Sequence, residues 1–157
     1  MDAKPGSPIT VDEARDRDAV GEEYTAVVPR SGHPYPTLVT IVWKNDYCST
    51  IFLDEYGRQA AKYVFKKMGD QLFLSRILMH TYPNKKRGLV VSDAVRMEDV
   101  KMRPDGYSKR VVTDDEKQER ITDEYSDVPT DANWEPIPKF GEWDSIARFE
   151  RSGRANA

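Results

Sequence analysis

The chain alternates apolar and polar residues in short runs broken by turn-forming residues, the pattern of strands that each turn one face to a core. Runs at 24–28, 37–44, 47–53, 59–67, 72–81, 89–102, 107–113 and 117–125 predict a set of about eight strands. The turns are the sharpest signal. Asn45-Asp46 and Gly69-Asp70 separate neighbouring runs and tolerate the positive φ of two-residue hairpin loops. Glu55-Tyr56-Gly57 and Pro104-Asp105-Gly106 end in glycine, which closes a type I turn with a bulge. Asp114-Asp115 marks a further hairpin without glycine, and residues 83–88 form a looser connection. Runs joined in this way predict an all-β antiparallel meander. If the first and last strands pair it is closed, or nearly closed, as a small β-barrel; an open, strongly curved sheet is the alternative.

The flanks read differently. Residues 1–21 are charged, carry Pro5 and Pro8, and have little to bury, so they are expected as a flexible N-terminal arm. Thr10 followed by Glu13 permits a turn or two of helix there, given tertiary docking. Beyond Tyr125, Pro129, Pro136 and Pro138 exclude a central strand or a helix interior. Trp134, Phe140 and Trp143 nevertheless need burial. Residues 126–151 are therefore expected as an irregular aromatic and proline-rich cover packed on the sheet, with 144–149 as a short helix or last strand. The whole of 22–151 reads as one β domain, and 152–157 as a frayed tail.

Composition narrows the setting. Of 157 residues 38% are hydrophobic and 32% charged, which fits a modest core under a charged surface, or polar groups lining a cavity. The net charge of −3 and the shortness of the basic runs Lys66-Lys67 and Lys85-Lys86-Arg87 argue against nucleic acid as partner. Cys48 stands alone, which excludes an internal disulfide and fits a reducing, cytoplasmic setting. No secretory h-region and no membrane-length apolar run is present, so no membrane association is expected.

Candidate chemistry follows from alternation along the fifth strand. Leu72, Leu74, Arg76, Leu78 and His80 are expected on one face, with Phe73, Ser75, Ile77 and Met79 on the other. Two apolar faces imply cover on both sides, as in a barrel wall. His80 and Tyr82, with Arg76 and an acid from the next strand, Asp93 or Glu98, form a candidate catalytic set. Imidazole titrates near neutrality, a carboxylate fixes its tautomer, and a guanidinium stabilises an enolate or carboxylate. Trp134, Phe140 and Trp143, with Arg96 and Tyr125, are candidate ligand-binding residues lining or lidding a pocket. His33, in a proline-rich loop, and Cys48, beside a turn, read as structural. No phosphate-binding glycine loop, dinucleotide fingerprint, nucleophile elbow or metal-ligand spacing occurs, so no cofactor and no metal are implied.

Two functions fit. The first is a small-molecule-binding β-barrel, a cofactor-independent cyclase, isomerase or lyase working on a small-molecule ligand or substrate by acid–base and shape catalysis. The alternative is a non-enzymatic protein-binding module such as an inhibitor, immunity protein or adaptor. It would use the charged hairpin carrying Lys109, Arg110, Glu119, Arg120, Asp123 and Glu124 as a recognition surface for another protein. A homodimer is the other partner the chain allows. Whether Arg76 and His80 face a cavity, a packed core or water separates the two.

Overall fold

The computed structural model describes residues 8–151, so the frayed tail expected at 152–157 lies outside the described residues. Eight strands run in chain order across one antiparallel sheet: β1 (Tyr24–Val28), β2 (Thr37–Val42), β3 (Tyr47–Leu53), β4 (Gln59–Met68), β5 (Gln71–Thr81), β6 (Arg96–Met102), β7 (Ser108–Asp114) and β8 (Glu119–Tyr125). Helix α1 (Val11–Val20) precedes the sheet, and the short helix α2 (Asp144–Ala147) comes after it. The predicted meander is observed. β1 and β8 do not pair, so the sheet is open and the expected barrel closure is not formed. A short ninth strand, β9 (Trp134–Pro136), pairs with the start of β5 beside the end of β6. Asn133 seals that junction: it is buried, and its side-chain amide donates to the Leu74 carbonyl at 2.8 Å, between the stretches of β5 that β6 and β9 cover.

One face, called inner, carries the core. Val39, Ile41, Cys48, Phe52, Ala61, Phe65, Leu72 and Leu74 point there and are almost wholly buried. The C-terminal segment lies over them, as its aromatic content required. Ile146 in α2 is fully buried, and its carbonyl accepts from Thr50 Oγ1 at 2.7 Å. Phe149 meets Phe52 edge-on at 5.2 Å, and its carbonyl accepts from the Tyr63 hydroxyl at 2.9 Å. Phe140 and Trp143 pack with Tyr24 at 5.7 and 6.4 Å between ring centres. Each large apolar side chain so buried contributes roughly 1.5–3 kcal/mol relative to exposure.

The segment expected as an arm contains α1. Thr10 and Glu13 form a reciprocal capping box, and Gly21 ends the helix with φ of 81°. The docking that local sequence could not supply comes from Ala14, packed against the core, from Arg15 over the Phe140 ring at 5.2 Å, and from Asp18. Asp18 Oδ1 accepts from the Tyr24 hydroxyl at 2.6 Å and from Trp43 Nε1 at 3.0 Å, tying the helix to β1 and to the turn after β2.

A bulge in β5 corrects the face assignment. Leu74 pairs with Phe65 and Arg76 with Val64, so Ser75 is an extra residue facing no partner of its own. Alternation restarts after it. Leu72 and Leu74 are inner, but Arg76, Leu78 and His80 lie on the opposite, outer face, while Ile77 and Met79 take the inner side. The predicted sixth strand is also shorter than expected: residues 91–93 form a single 3₁₀ turn, and pairing begins at Arg96.

Candidate functional site

The C-terminal cover lies over β1–β5, and β6–β8 extend beyond it as a single layer. Register sorts their side chains. Rows on the outer face run Arg76–Lys101–Lys109–Glu124, Leu78–Asp99–Val111–Thr122 and His80–Met97–Thr113–Arg120. Rows on the inner face run Ile77–Val100–Arg110–Asp123, Met79–Glu98–Val112–Ile121 and Thr81–Arg96–Asp114–Glu119. Across β5–β8 the outer face thus carries Arg76, Lys101, Lys109 and Arg120 against Asp99 and Glu124. The inner face carries Arg96 and Arg110 against Glu98, Asp114, Glu119 and Asp123. Opposite net signs on the two faces of one sheet were hidden in a sequence whose charges nearly balance.

On the inner face four of the six charges form one network: Glu98 accepts from Arg110 Nε at 2.5 Å and lies 3.7 Å from Arg96, and Arg110 reaches Asp123 at 3.4 Å. On the outer face only Arg76 and Asp99 pair. Asp99 is taken by Arg76 through two hydrogen bonds of 2.9 and 2.7 Å, which hold the guanidinium firmly in its charged form. Lys101 sits directly opposite Lys109, and neither they nor Arg120 form an ion pair among the described residues. Like charges placed opposite each other across a ladder are destabilising. With Met97, Asp99, Val111 and Thr113 these cations line a partly open depression of about 240 Å³.

The expected catalytic residues are distributed over several places. His80 is on the outer face in the row of Met97; its Nδ1 is buried without a partner among the described residues, and burial lowers its pKa below the ordinary histidine value. Glu98 is on the inner face, bonded to arginines. Asp93 lies in the connection before β6 and accepts from the Val90 amide at 2.8 Å. Tyr82 donates to the Gln59 carbonyl at 2.7 Å, and burial raises its pKa, with Asp54 and Asp93 adding to the effect and Arg58 opposing it. Of the expected ligand-binding residues, Trp134 packs on Phe73 at 4.9 Å and Phe140 on Trp143 at 5.3 Å. Tyr125 is 47% exposed at the far edge of the sheet, and Arg96 belongs to the inner ion-pair row. These groups do not share one pocket.

Sequence reading missed a clip at the opposite end. Arg58 is buried between the rings of Tyr56 and Tyr82, at 5.0 and 4.5 Å, and its Nε donates to Asp54 at 2.8 Å. Its Nη1 donates to the Asn84 and Lys86 carbonyls, which fastens the long connection after β5 to the β3–β4 turn. The Asp54-Glu55-Tyr56-Gly57-Arg58 turn was legible as a turn, but not the reach of its arginine. Burial also pushes the Cys48 thiol up to about 12, an inert setting for a nucleophile. Among the described residues no cluster of histidine, cysteine and carboxylates suits a metal, and no helix is long and apolar enough to cross a membrane. Comparison with family models, with curated proteins and with solved structures gives no match for this chain.

Proposed function

We propose that this chain is a non-enzymatic binding module that recognises an acidic stretch of a partner protein on the outer face of β5–β8. The carrying observation is the direct apposition of Lys101 and Lys109, unpaired and joined by Arg120 around one depression. Such a site costs stability until an anion occupies it, which is a reason to read it as a recognition site and not as solvated surface. The acid–base reading has less support, because His80 and Glu98 lie on opposite faces of the sheet and the Tyr82 hydroxyl and Asp93 carboxylate are each engaged by backbone groups. A nucleic acid is disfavoured by the net charge of −3.

Fluorescence anisotropy with a dye-labelled peptide rich in Asp and Glu tests this reading. Binding at low salt is expected, with affinity about tenfold or more weaker for the double variant Lys101→Glu/Lys109→Glu, corresponding to loss of two favourable charge contacts. A Ser/Gln peptide of the same length is expected not to bind. Unchanged affinity in the double variant, or equal binding of a single-stranded oligonucleotide of the same charge, overturns the proposal.

A further inference from the structure

β8 is an open edge of unusual regularity. All seven of its residues pair with β7 without a register shift, and its other edge has no partner among the described residues. No proline, glycine or bulge interrupts Glu119–Tyr125, although such devices commonly protect an exposed edge. Ile121 and Tyr125, both on the inner face, are 50% and 47% exposed. Charge is the remaining guard, and here its arrangement is symmetric: Arg120 and Glu124 stand at equal distances on either side of Thr122.

We propose that β8 pairs antiparallel with β8 of a second copy of this chain, about a two-fold axis passing through Thr122. An axis normal to the sheet keeps the two outer faces together, so residues that meet must both be outer or both inner. That leaves only registers centred on a residue. Centring on Arg120, Asp123 or Glu124 sets that charge against its own copy, and centring on Ile121 sets Glu119 against Asp123. Centring on Thr122 avoids every directly opposite like-charge pair and leaves Asp123 diagonal to its own copy. Arg120 then faces the second copy's Glu124 twice, Glu119 faces Tyr125, Ile121 faces Asp123, and the two Ile121 side chains become diagonal neighbours across the axis. The edge amides and carbonyls of both copies gain partners, and one continuous sheet runs through the pair.

The edge shares Arg120 with the acidic-partner site, whereas Lys101 and Lys109 lie on the strands behind it, so Lys101→Glu/Lys109→Glu separates the two readings. Sedimentation velocity of the full chain over a concentration series is expected to show a monomer–dimer equilibrium. Arg120→Glu or Glu124→Arg alone is expected to weaken it about tenfold or more, since two attractive pairs become two repulsive ones. Mixing the two single variants is expected to restore association as a heterodimer, because both cross pairs are again opposite in sign. The double variant Arg120→Glu/Glu124→Arg is expected to restore the homodimer, and Lys101→Glu/Lys109→Glu to leave it unchanged. Thr122→Cys is expected to form an intermolecular disulfide under mild oxidation, with buried Cys48 silent. A wild-type chain that stays monomeric at high micromolar concentration overturns the proposal. So does a mixture of the charge variants that fails to associate while each remains folded by circular dichroism.

Discussion

The Arg76 guanidinium and the Asp99 carboxylate meet diagonally across β5 and β6 through two parallel hydrogen bonds of 2.9 and 2.7 Å. The pair removes one anion from the outer face and holds one cation still beside Lys101. Asp99→Asn breaks the charge pairing and leaves Arg76 free to turn toward an incoming acid. Because the Arg76 side chain is 40% exposed, water compensates much of the loss, and the expected destabilisation is only about 1 kcal/mol by chemical denaturation. Binding of the acidic peptide is expected to tighten severalfold in the same variant. Weaker binding would show that Asp99, and not the cations, makes the productive contact.

The register shift at Ser75 is why simple alternation puts Arg76 on the wrong face. With Leu74 inner and Arg76 outer, Ser75 is the surplus residue, so deleting it leaves every later side chain on its present face. The shortened chain is expected to fold and unfold cooperatively, at a cost on the order of 1–2 kcal/mol from the lost bend. Deleting Ile77 instead keeps the bulge but inverts the rest of β5, carrying Leu78 and His80 inward and Met79 outward. That variant is expected to lose roughly 3 kcal/mol or more, or not to fold, because His80 and Met79 exchange environments. Thermal unfolding followed by circular dichroism distinguishes the two, and similar melting curves would count against the bulge.

These two deletions also mark what the amino-acid order made legible. Turns announced themselves through residues whose backbone demands are local: Gly57, Gly69 and Gly106 all adopt positive φ where hairpins were expected. Strand number and order followed from those turns. The bulge at Ser75 left no such mark, since it depends on how β4 and β5 fit together, and one unmarked residue inverted the faces of Arg76 and His80. Closure was equally hidden. It depends on whether β1 and β8 meet, a relation between strands far apart in sequence. The cationic outer rows were invisible for a related reason: Lys101, Lys109 and Arg120 become neighbours only once register is set.

Acid sensitivity is expected at the Arg58 clip. Burial alone would raise the Asp54 pKa, but hydrogen bonds from the Arg58 amide and guanidinium and from the Tyr56 amide, with the Arg58 charge, together lower it below the ordinary 3.8. A depressed carboxylate favours the folded state most when both states are ionised. Its stabilisation is therefore complete above the ordinary value and is lost as pH falls below 3.8 toward the folded pKa. Asp54→Asn is expected to lower stability near neutrality and to flatten the fall in stability on acidification. Parallel curves for the two proteins in denaturant titrations at several acidic pH values would exclude this role.

Glu135 offers the largest single-residue effect. It is buried in β9, and its Oε1 accepts from Arg148 at 2.5 Å and from Arg151 at 2.6 Å. Arg148 is about half exposed and can return to water, but the Arg151 side chain is only 1% exposed and lies over the Phe65 ring at 5.4 Å. Burial lowers the Arg151 pKa, and the Glu135 charge works against that effect. Glu135→Gln keeps the shape and an acceptor but deletes the charge that compensates a buried guanidinium, at an expected cost of about 3–5 kcal/mol. Removing both partners tests the cause. The double variant Glu135→Leu/Arg151→Met replaces the pair by apolar side chains and is expected to recover most of the loss, because no uncompensated charge remains under the C-terminal cover. Equal stability of the Glu135→Gln chain and the wild type in urea would show that Arg151 does not need its carboxylate.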